Sequence, residues 1–358
     1  GVSRFTFPAG LSHVLLNLGE GLTNETGAFL KQVSDTEFEG MKLLGTFCYN
    51  PQAVFPIYFV MRVNKQPASS GYWKKQRPMT GVEAEWDPDN GRYKLYTRYR
   101  KEIAGDDIGA FLTFNTTEGE QIEVQMGVSF VSIENARLNL DTEQSGKNFS
   151  QVLADARMRW NEDLSRILVE GGTEEQKTVF YTALYHTMID PRICSDVNGE
   201  YMGADKKAHM TDQFTKRTIF SGWDVFRSQM PLQTIINPTL INDLLNSLVE
   251  IADQSGNEYL ERWELLNAYS GCMLGNPALS VLCDAYSKGI RSYDIDKAYR
   301  YALNTSRLFG NNKEGYTPGS ISHTLEYAYN DWCMARLAEW LGKDTDKEYF
   351  DRRAMTYS

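Results

Sequence analysis

The sequence predicts an α+β protein in which an antiparallel β-sandwich is followed by a stack of antiparallel helices. Three observations carry that expectation. Up to about residue 145, short runs alternate apolar with polar residues between turn formers; after Asn148, apolar residues recur at three and four; and helix-capping pairs punctuate the second part. With 358 residues and 42 % hydrophobic composition, the chain can bury one large core or two moderate ones, and its length favours two domains.

In Gln121–Ser132, the residues Ile122, Val124, Met126, Val128 and Phe130 alternate with polar ones, the period of a half-buried strand. Pro56–Val63 and Arg92–Arg100 are rich in Tyr, Phe and Val, and Asp87-Pro88-Asp89-Asn90-Gly91 forms a turn ahead of the latter. Repeated short aromatic strands of this kind pack as a sandwich.

The first helix is expected from Phe149 through Val152, Leu153, Ala156, Trp160, Leu164 and Ile167, stopped by Gly171-Gly172. Thr173 with Gln176 forms a capping box for the next, which carries Phe180, Ala183, Leu184 and Thr187. Asn237-Pro238 is an N-cap followed by proline at the first helical position, opening Leu240, Ile241, Leu244, Leu245 and Leu248. Asn276-Pro277 repeats that device before Val281, Leu282, Ala285 and Tyr286, with Gly289 as the stop. A fifth helix runs from about Ser322 to Gly342, and Thr345 with Glu348 caps a sixth. The linkers differ in length, so no solenoid repeat is expected. Residues 191–218 form a long polar excursion with a turn at Ser195–Gly199, which reads as a functional or mobile loop.

The formal net charge is -10 and no Lys/Arg cluster stands out, which argues against a nucleic-acid partner. No apolar run approaches the roughly 20 residues that span a bilayer, and residues 1–20 lack a signal-peptide pattern. Cys48, Cys194, Cys272, Cys283 and Cys333 are scattered without C-x-x-C spacing, which argues against a zinc site and leaves room for one bridge at most. Sequons at Asn24, Asn115, Asn148 and Asn304 point weakly to a secreted, periplasmic or cell-surface location. His13, His186, His209 and His323 show no metal-binding pairing, and His186 reads as a hydrogen-bonded core residue on an apolar helix. Neither a Gly-rich phosphate loop nor a G-x-S-x-G elbow is present.

The strongest candidate for chemistry is Trp223, Asp224 and Arg227. If a helix starts near Gly222, spacings of three and four put them on one face. An indole covers the apolar face of a sugar ring while charged groups bond its hydroxyls. The bland alternative is a helix start with an Asp–Arg ion pair and a core Trp. A second candidate is Glu261-Arg262-Trp263-Glu264-Leu265 ahead of Gly271–Gly275, read as a loop feeding a pocket through Trp263 and Glu264 or as a partly exposed helix. Glycoside hydrolysis needs two carboxyl groups, and the candidates near aromatics are Asp224, Glu264, Glu326 and Asp331. Glu326 and Asp331 lie five apart, so on one helix they diverge by roughly 140°. Asp331 is expected as a solvated or ion-paired surface residue, and Glu326 sits where the macrodipole already favours a carboxylate.

Several segments together resemble glycoside hydrolase family 92. They are Phe180–Thr187 with Ser195–Gly203; Ser221–Arg227 with Pro231, Leu232 and Pro238; Met273–Pro277 with Asp284–Ile290; and Gly315–Pro318 with Thr324–Trp332. Arg4–Pro8 is the main point of similarity in the first 145 residues. The resemblance implies a β-sandwich (partial, 1–145), a linker helix (146–172) and the N-terminal half of an (α/α)6 toroid (173–358). It also implies an exo-acting, inverting, calcium-assisted α-mannosidase of mannans or high-mannose N-glycans, with α-1,2 linkages as the expected target. Asp224 matches the motif whose Asp contacts the terminal mannose, and Trp223, Arg227, Trp263, Glu264 and Glu326 are the accompanying substrate-binding candidates. The resemblance places the general acid, the base and the calcium ligands in motifs C-terminal to the Leu325-Glu326-Tyr327 helix, so no catalytic residue is assigned here. Asn276 stands where the family often has Asp, and Glu261 where Pro is common. A half-toroid would expose an apolar seam, which implies a second polypeptide or further segments to complete it. The rival expectations are a catalytically inactive carbohydrate-binding protein and a related glycosidase or phosphorylase acting on glucosides.

Overall fold

A computed structural model describes residues 1–21, 27–45, 50, 53–76, 92–97 and 101–356. The expected turn at 87–91, the sequon at Asn24, Cys48 and the end of the 92–100 strand lie outside the described residues. The chain divides into two compact units, residues 1–46 with 51–160 and residues 47–50 with 161–358.

The first unit holds strands β1 (Val2–Phe7), β2 (Gly10–Asn17), β3 (Ala28–Gln32), β4 (Glu37–Gly45), β5 (Val54–Val63), β6 (Ser69–Gln76), β7 (Arg92–Thr97), β8 (Glu102–Gly105), β9 (Ile108–Thr116) and β10 (Glu120–Ser129). They form a six-stranded sheet, β1-β10-β5-β4-β3-β8, and a four-stranded sheet, β2-β9-β6-β7, antiparallel throughout. Phe38, Phe59, Met61 and Ile122 from the first sheet meet Tyr72, Ile108, Leu112 and Phe114 from the second in one core.

Helix α1 (Ile133–Gln144) covers the outer face of the six-stranded sheet, with Ala136 and Leu140 packed on Val60. The sequence reading missed it, because Ser132, which caps it, was absorbed into the preceding strand. Its approach is close: a Cβ on Gly127 would stand 2.3 Å from the Ala136 carbonyl oxygen and 2.6 Å from Leu140 Cβ, so only glycine fits. The expected alternation ends there, and Val128 faces solvent rather than the core. Helix α2 (Phe149–Leu164) then carries the chain onward with no buried side chain, despite its regular apolar spacing.

The second unit is helical, with short strands between helices. It holds α3 (Glu174–His186), β11 (Arg192–Ile193), β12 (Glu200–Met202), β13 (Ala208–Met210), β14 (Arg217–Thr218), β15 (Phe220–Ser221), α4 (Gly222–Val225), α5 (Gln229–Ile236), α6 (Pro238–Gln254), β16 (Trp263–Leu265), β17 (Ala268–Tyr269), α7 (Pro277–Ser287), α8 (Ile295–Leu308), α9 (Ile321–Trp340) and α10 (Asp344–Ala354). Leu244 and Leu248 of α6, Leu282 of α7, Tyr301 of α8, Met334 and Leu337 of α9 and Phe350 of α10 share one apolar core.

Local chemistry explains the helix starts. The Thr173–Gln176 capping box is formed in both directions, and the Asn237 side chain accepts from the Leu240 N–H ahead of Pro238. Asn276 also precedes a proline, but its side chain donates to the Phe309 carbonyl and leaves the helix uncapped. The last helix starts at Asp344, so Thr345 lies inside its first turn and makes no cap. Residues 191–218 are not an open loop: β11 pairs with β14, and β12 with β13. His186, expected in a core, is exposed on α3, where only Leu184 is buried.

Candidate functional site

The site grows out of a three-stranded ribbon, β15-β16-β17, in which Ser221 pairs with Trp263 and Phe220 with Glu264. At Gly222 the chain leaves this ribbon to start α4. A Cβ there would stand 2.4 Å from the Arg262 carbonyl oxygen and 2.5 Å from Pro277 Cγ, so the turn needs glycine. The tight turn projects Trp223 towards the first turns of α9.

There the indole Nε1–H donates to Glu326 Oε1 at 3.1 Å, and the Arg227 guanidinium is ion-paired to the same oxygen. Arg227 also donates to the Trp223 carbonyl at 2.7 Å and lies over the rings of Trp223 and Phe226, 4.7 and 4.4 Å from their centroids. Among the described residues, Glu326 Oε2 accepts no hydrogen bond. These groups line a cavity of about 620 Å³ together with Leu325, Tyr329, Ser280 and Asp284, a size suited to a small ligand. Tyr329 leans on Phe226 with ring centroids 5.8 Å apart, and its hydroxyl lies 3.0 Å from Ser280 Oγ.

Of the six candidates read from the sequence, Trp223, Arg227 and Glu326 come together at this cavity. Asp224 is exposed and outside its lining; its carboxylate accepts from the Ser221 hydroxyl at 2.5 Å, and the Asp–Arg pair of the bland alternative is absent among the described residues. Trp263 is half-buried on β16, and Glu264 is 1 % exposed. Glu264 Oε1 accepts from the Thr218 hydroxyl and the Asn267 N–H, both at 2.8 Å, which ties two turns together. The segment 261–265 is therefore neither an open loop nor an exposed helix. Phe226, Tyr329, Ser280 and Asp284 were not among the candidates. Tyr329 had a readable signal, since it lies one turn beyond Glu326 on the same helix.

Asp331 corrects another expectation. It is ion-paired, but 2 % exposed rather than at the surface, with Arg353 at 2.9 Å and the Ser306 hydroxyl at 3.2 Å. Burial raises its pKa more than the Arg353 charge lowers it. The expected divergence from Glu326 holds, since the latter faces the cavity.

Behind the ribbon lies a set of buried ionisable groups. Glu261 is 2 % exposed, its Oε2 has no hydrogen-bond partner among the described residues, and burial together with the nearby Glu264 charge pushes its carboxyl up to about 9. Lys216 is wholly buried, its ammonium 3.5 Å from the Ser247 carbonyl. Burial pushes the neighbouring Cys194 thiol up to about 12, with Lys216 and Glu264 acting on it in opposite senses. The four described cysteines are free.

Because the folded-state pKa of Glu261 lies above its unfolded value of 4.5, its stabilising contribution is complete below that value and is lost as pH rises towards about 9. Within that window each pH unit costs about 1.4 kcal/mol. Glu261→Gln, neutral at every pH, should therefore be more stable than the parent at pH 8, with the gain vanishing near pH 4.5. Melting temperatures at several pH values check this; parallel curves for the two proteins would refute a neutral buried Glu261.

The calcium implied by the resemblance finds no matching donor set among the described residues. Among the described residues, no three His, Cys, Asp or Glu side chains converge as a metal site. No step is assigned to it.

A sheet-rich unit is followed by a helical unit whose cavity holds an indole–guanidinium–carboxylate cluster. The chain belongs to glycosyl hydrolase family 92: residues 1–129 match its N-terminal domain and residues 135–358 its catalytic domain. The structure is similar to the family GH92 α-mannosidase BT3965 of Bacteroides thetaiotaomicron, with a TM-score of 0.87 and 27 % identity over 99 % of this chain and 48 % of that one. BT3965 has also been solved in complex with mannoimidazole. The inverting mannosidase BT2199 of the same organism gives a TM-score of 0.84 at 26 % identity, over 99 % of this chain and 48 % of that one. An uncharacterized secreted glycosidase of Arthroderma benhamiae is 28 % identical over 278 residues, which is 68 % of this chain and 31 % of that protein. The chain thus spans about half the length of the solved mannosidases and a third of the curated relative.

Proposed function

We propose that the protein to which this chain belongs hydrolyses terminal α-linked mannose, with α-1,2 linkages in mannans or high-mannose N-glycans as the first substrates to test. This chain supplies a sugar-gripping wall. The observation that carries the reading is the convergence of Trp223, Arg227 and Glu326 on one cavity: an aromatic face, a cation and a carboxylate with one free oxygen. Such a set holds a pyranose by its apolar face and by two or more hydroxyls. Membership of a family whose solved members include α-mannosidases supports it. The secreted relative supports an extracytoplasmic location.

The test is hydrolysis of α-1,2-mannobiose by the full-length protein, with and without a calcium chelator. Turnover abolished by chelation supports a calcium-assisted hydrolase. Binding without turnover overturns the enzyme reading in favour of a sugar-binding protein, and turnover of glucosides alone overturns the choice of sugar.

Asp224 lies beside this wall, and among the described residues its carboxylate accepts from the Ser221 hydroxyl alone. For Asp224→Ala, sugar affinity should fall by about 1.5–3 kcal/mol, the scale of a charged hydrogen bond. Titration calorimetry with mannobiose reads it, and unchanged affinity removes Asp224 from the site.

The apolar side chains of α3 and α9 that face solvent, such as Val179 at 66 % and Ile321 at 80 % exposed, support covering by further helices of the same protein or a second polypeptide. A monodisperse monomer of this chain alone, seen by light scattering, would overturn that.

A further inference from the structure

The two halves of the sugar wall come from distant segments: Trp223 from the turn after β15, and Glu326 from the start of α9. Something must hold them in register, and the structure places the turn Gly275-Asn276-Pro277 between them. On one side, Pro277 fills the space beside Gly222, the residue before Trp223; a Cβ on Gly222 would stand 2.5 Å from Pro277 Cγ. On the other, Gly275 lies against Glu326 itself. Its φ is +67°, and a Cβ there would stand 3.0 Å from Glu326 Cβ and 3.2 Å from Asn330 Oδ1. The middle residue, Asn276, donates its backbone N–H to Asn330 Oδ1 at 2.7 Å in a buried bond.

We propose that Asn330 is a positioning residue for the sugar site, holding the Gly275–Pro277 turn onto α9 so that the Trp223 indole meets Glu326. The inference rests on the cavity being the sugar site. Asn330 lies one turn after Glu326 on α9, so both side chains face the same turn. It is not among the residues that line this cavity. Its acceptor takes a backbone N–H at the start of α7, one that has no partner within the helix. Its amide Nδ2 is buried and makes no hydrogen bond among the described residues, so the acceptor oxygen is the atom that acts. Asn276 cannot take over this task, because its own side chain is turned away to the Phe309 carbonyl.

The test uses the full-length protein and α-1,2-mannobiose, comparing Asn330→Leu, which fills the space without an acceptor, with Asn330→Asp, which keeps one. Asp loses no bond, since Nδ2 has none among the described residues, and burial favours its neutral form, whose carbonyl oxygen still accepts the Asn276 N–H. Asn330→Leu is expected to lower kcat/KM by about 10- to 100-fold, the scale of a misplaced binding group. About fivefold or more of that loss should appear in KM. Asn330→Asp should stay within about threefold of the parent. A purely structural role would cut kcat through fewer folded molecules and leave KM alone, which overturns the proposal; so does a loss in Asn330→Asp equal to that in Asn330→Leu. If Asn330→Leu does not fold, Asn330→Ser, whose hydroxyl is too short to reach Asn276, takes its place with the same expected KM rise. Glu326→Gln is run beside them. If it retains the parent's rates, the sugar-site reading has failed; if it is impaired while the Asn330 variants keep their KM, only the positioning role has failed.

Discussion

Glu326→Gln in the full-length protein should lower kcat/KM on α-1,2-mannobiose by about 30- to 1,000-fold, corresponding to about 2–4 kcal/mol of lost charged hydrogen bonding. One oxygen of Glu326 gathers the Trp223 N–H and the Arg227 guanidinium, leaving the other free for a sugar hydroxyl. Glutamine can still accept the indole N–H, but it cannot hold the cation, and its amide turns an acceptor into a donor at the free position. The fold itself should hardly notice. Arg227 is nearly half-exposed, so the ion pair contributes no more than about 1 kcal/mol to stability. A melting temperature within error of the parent, together with the rate loss, is the expected pair of results. Trp223→Phe serves as the control, since it keeps an aromatic face beside Arg227 while removing the N–H together with the pyrrole ring. It should cost less, about three- to tenfold, because Glu326 keeps its ion pair with Arg227 when the N–H is lost. Equal losses in the two variants, or none in Glu326→Gln, would take the carboxylate out of the site.

How far the site was legible in the sequence depends on how far each contact reaches along the chain. Caps and turns are local, so Thr173–Gln176 and Asn237–Pro238 could be read directly. The same dipeptide at Asn276–Pro277 could not, because its side chain is claimed by a carbonyl 33 residues away. Helix α8 was missed although Asp294 caps it and Ala298, Tyr299, Tyr301 and Ala302 bury one face. Its apolar side is built of tyrosine and alanine, and the eye searches for leucine. Helix α2 shows the reverse failure, a regular apolar stripe with nothing buried. Trp223 could be singled out by its company, yet its partner Glu326 lies 103 residues on, at a helix start where a carboxylate has a sufficient local explanation. Glu264 looked like a pocket residue because a charged side chain beside Trp is usually exposed. Only the fold brings Thr218 and the Asn267 N–H onto its carboxylate.

Asp331 and Arg353 carry the largest expected effect on stability. Asp331 has almost no contact with solvent, and its charge is answered by Arg353 and the Ser306 hydroxyl. Arg353→Met keeps much of the alkyl volume and removes the cation, leaving a buried carboxylate unpaired. The expected loss at pH 8 is about 3–5 kcal/mol. The pH dependence has a definite sign. Burial already raises the Asp331 pKa in the folded state, and without Arg353 the rise must be larger. A raised folded pKa gives stability that is present below the unfolded value and is lost as pH climbs. The variant should therefore lie closest to the parent near pH 4 and fall away from it towards pH 8. Adding Asp331→Asn removes the charge that was stranded and should restore most of the loss, because replacing both members of a buried pair is far less harmful than removing one. Denaturant titrations of the two variants at pH 4 and 8 separate the possibilities. A pH-independent deficit, or no recovery in the double variant, would mean that Arg353 acts through its packing on Tyr349 and its bond to the Asn311 carbonyl rather than through the carboxylate.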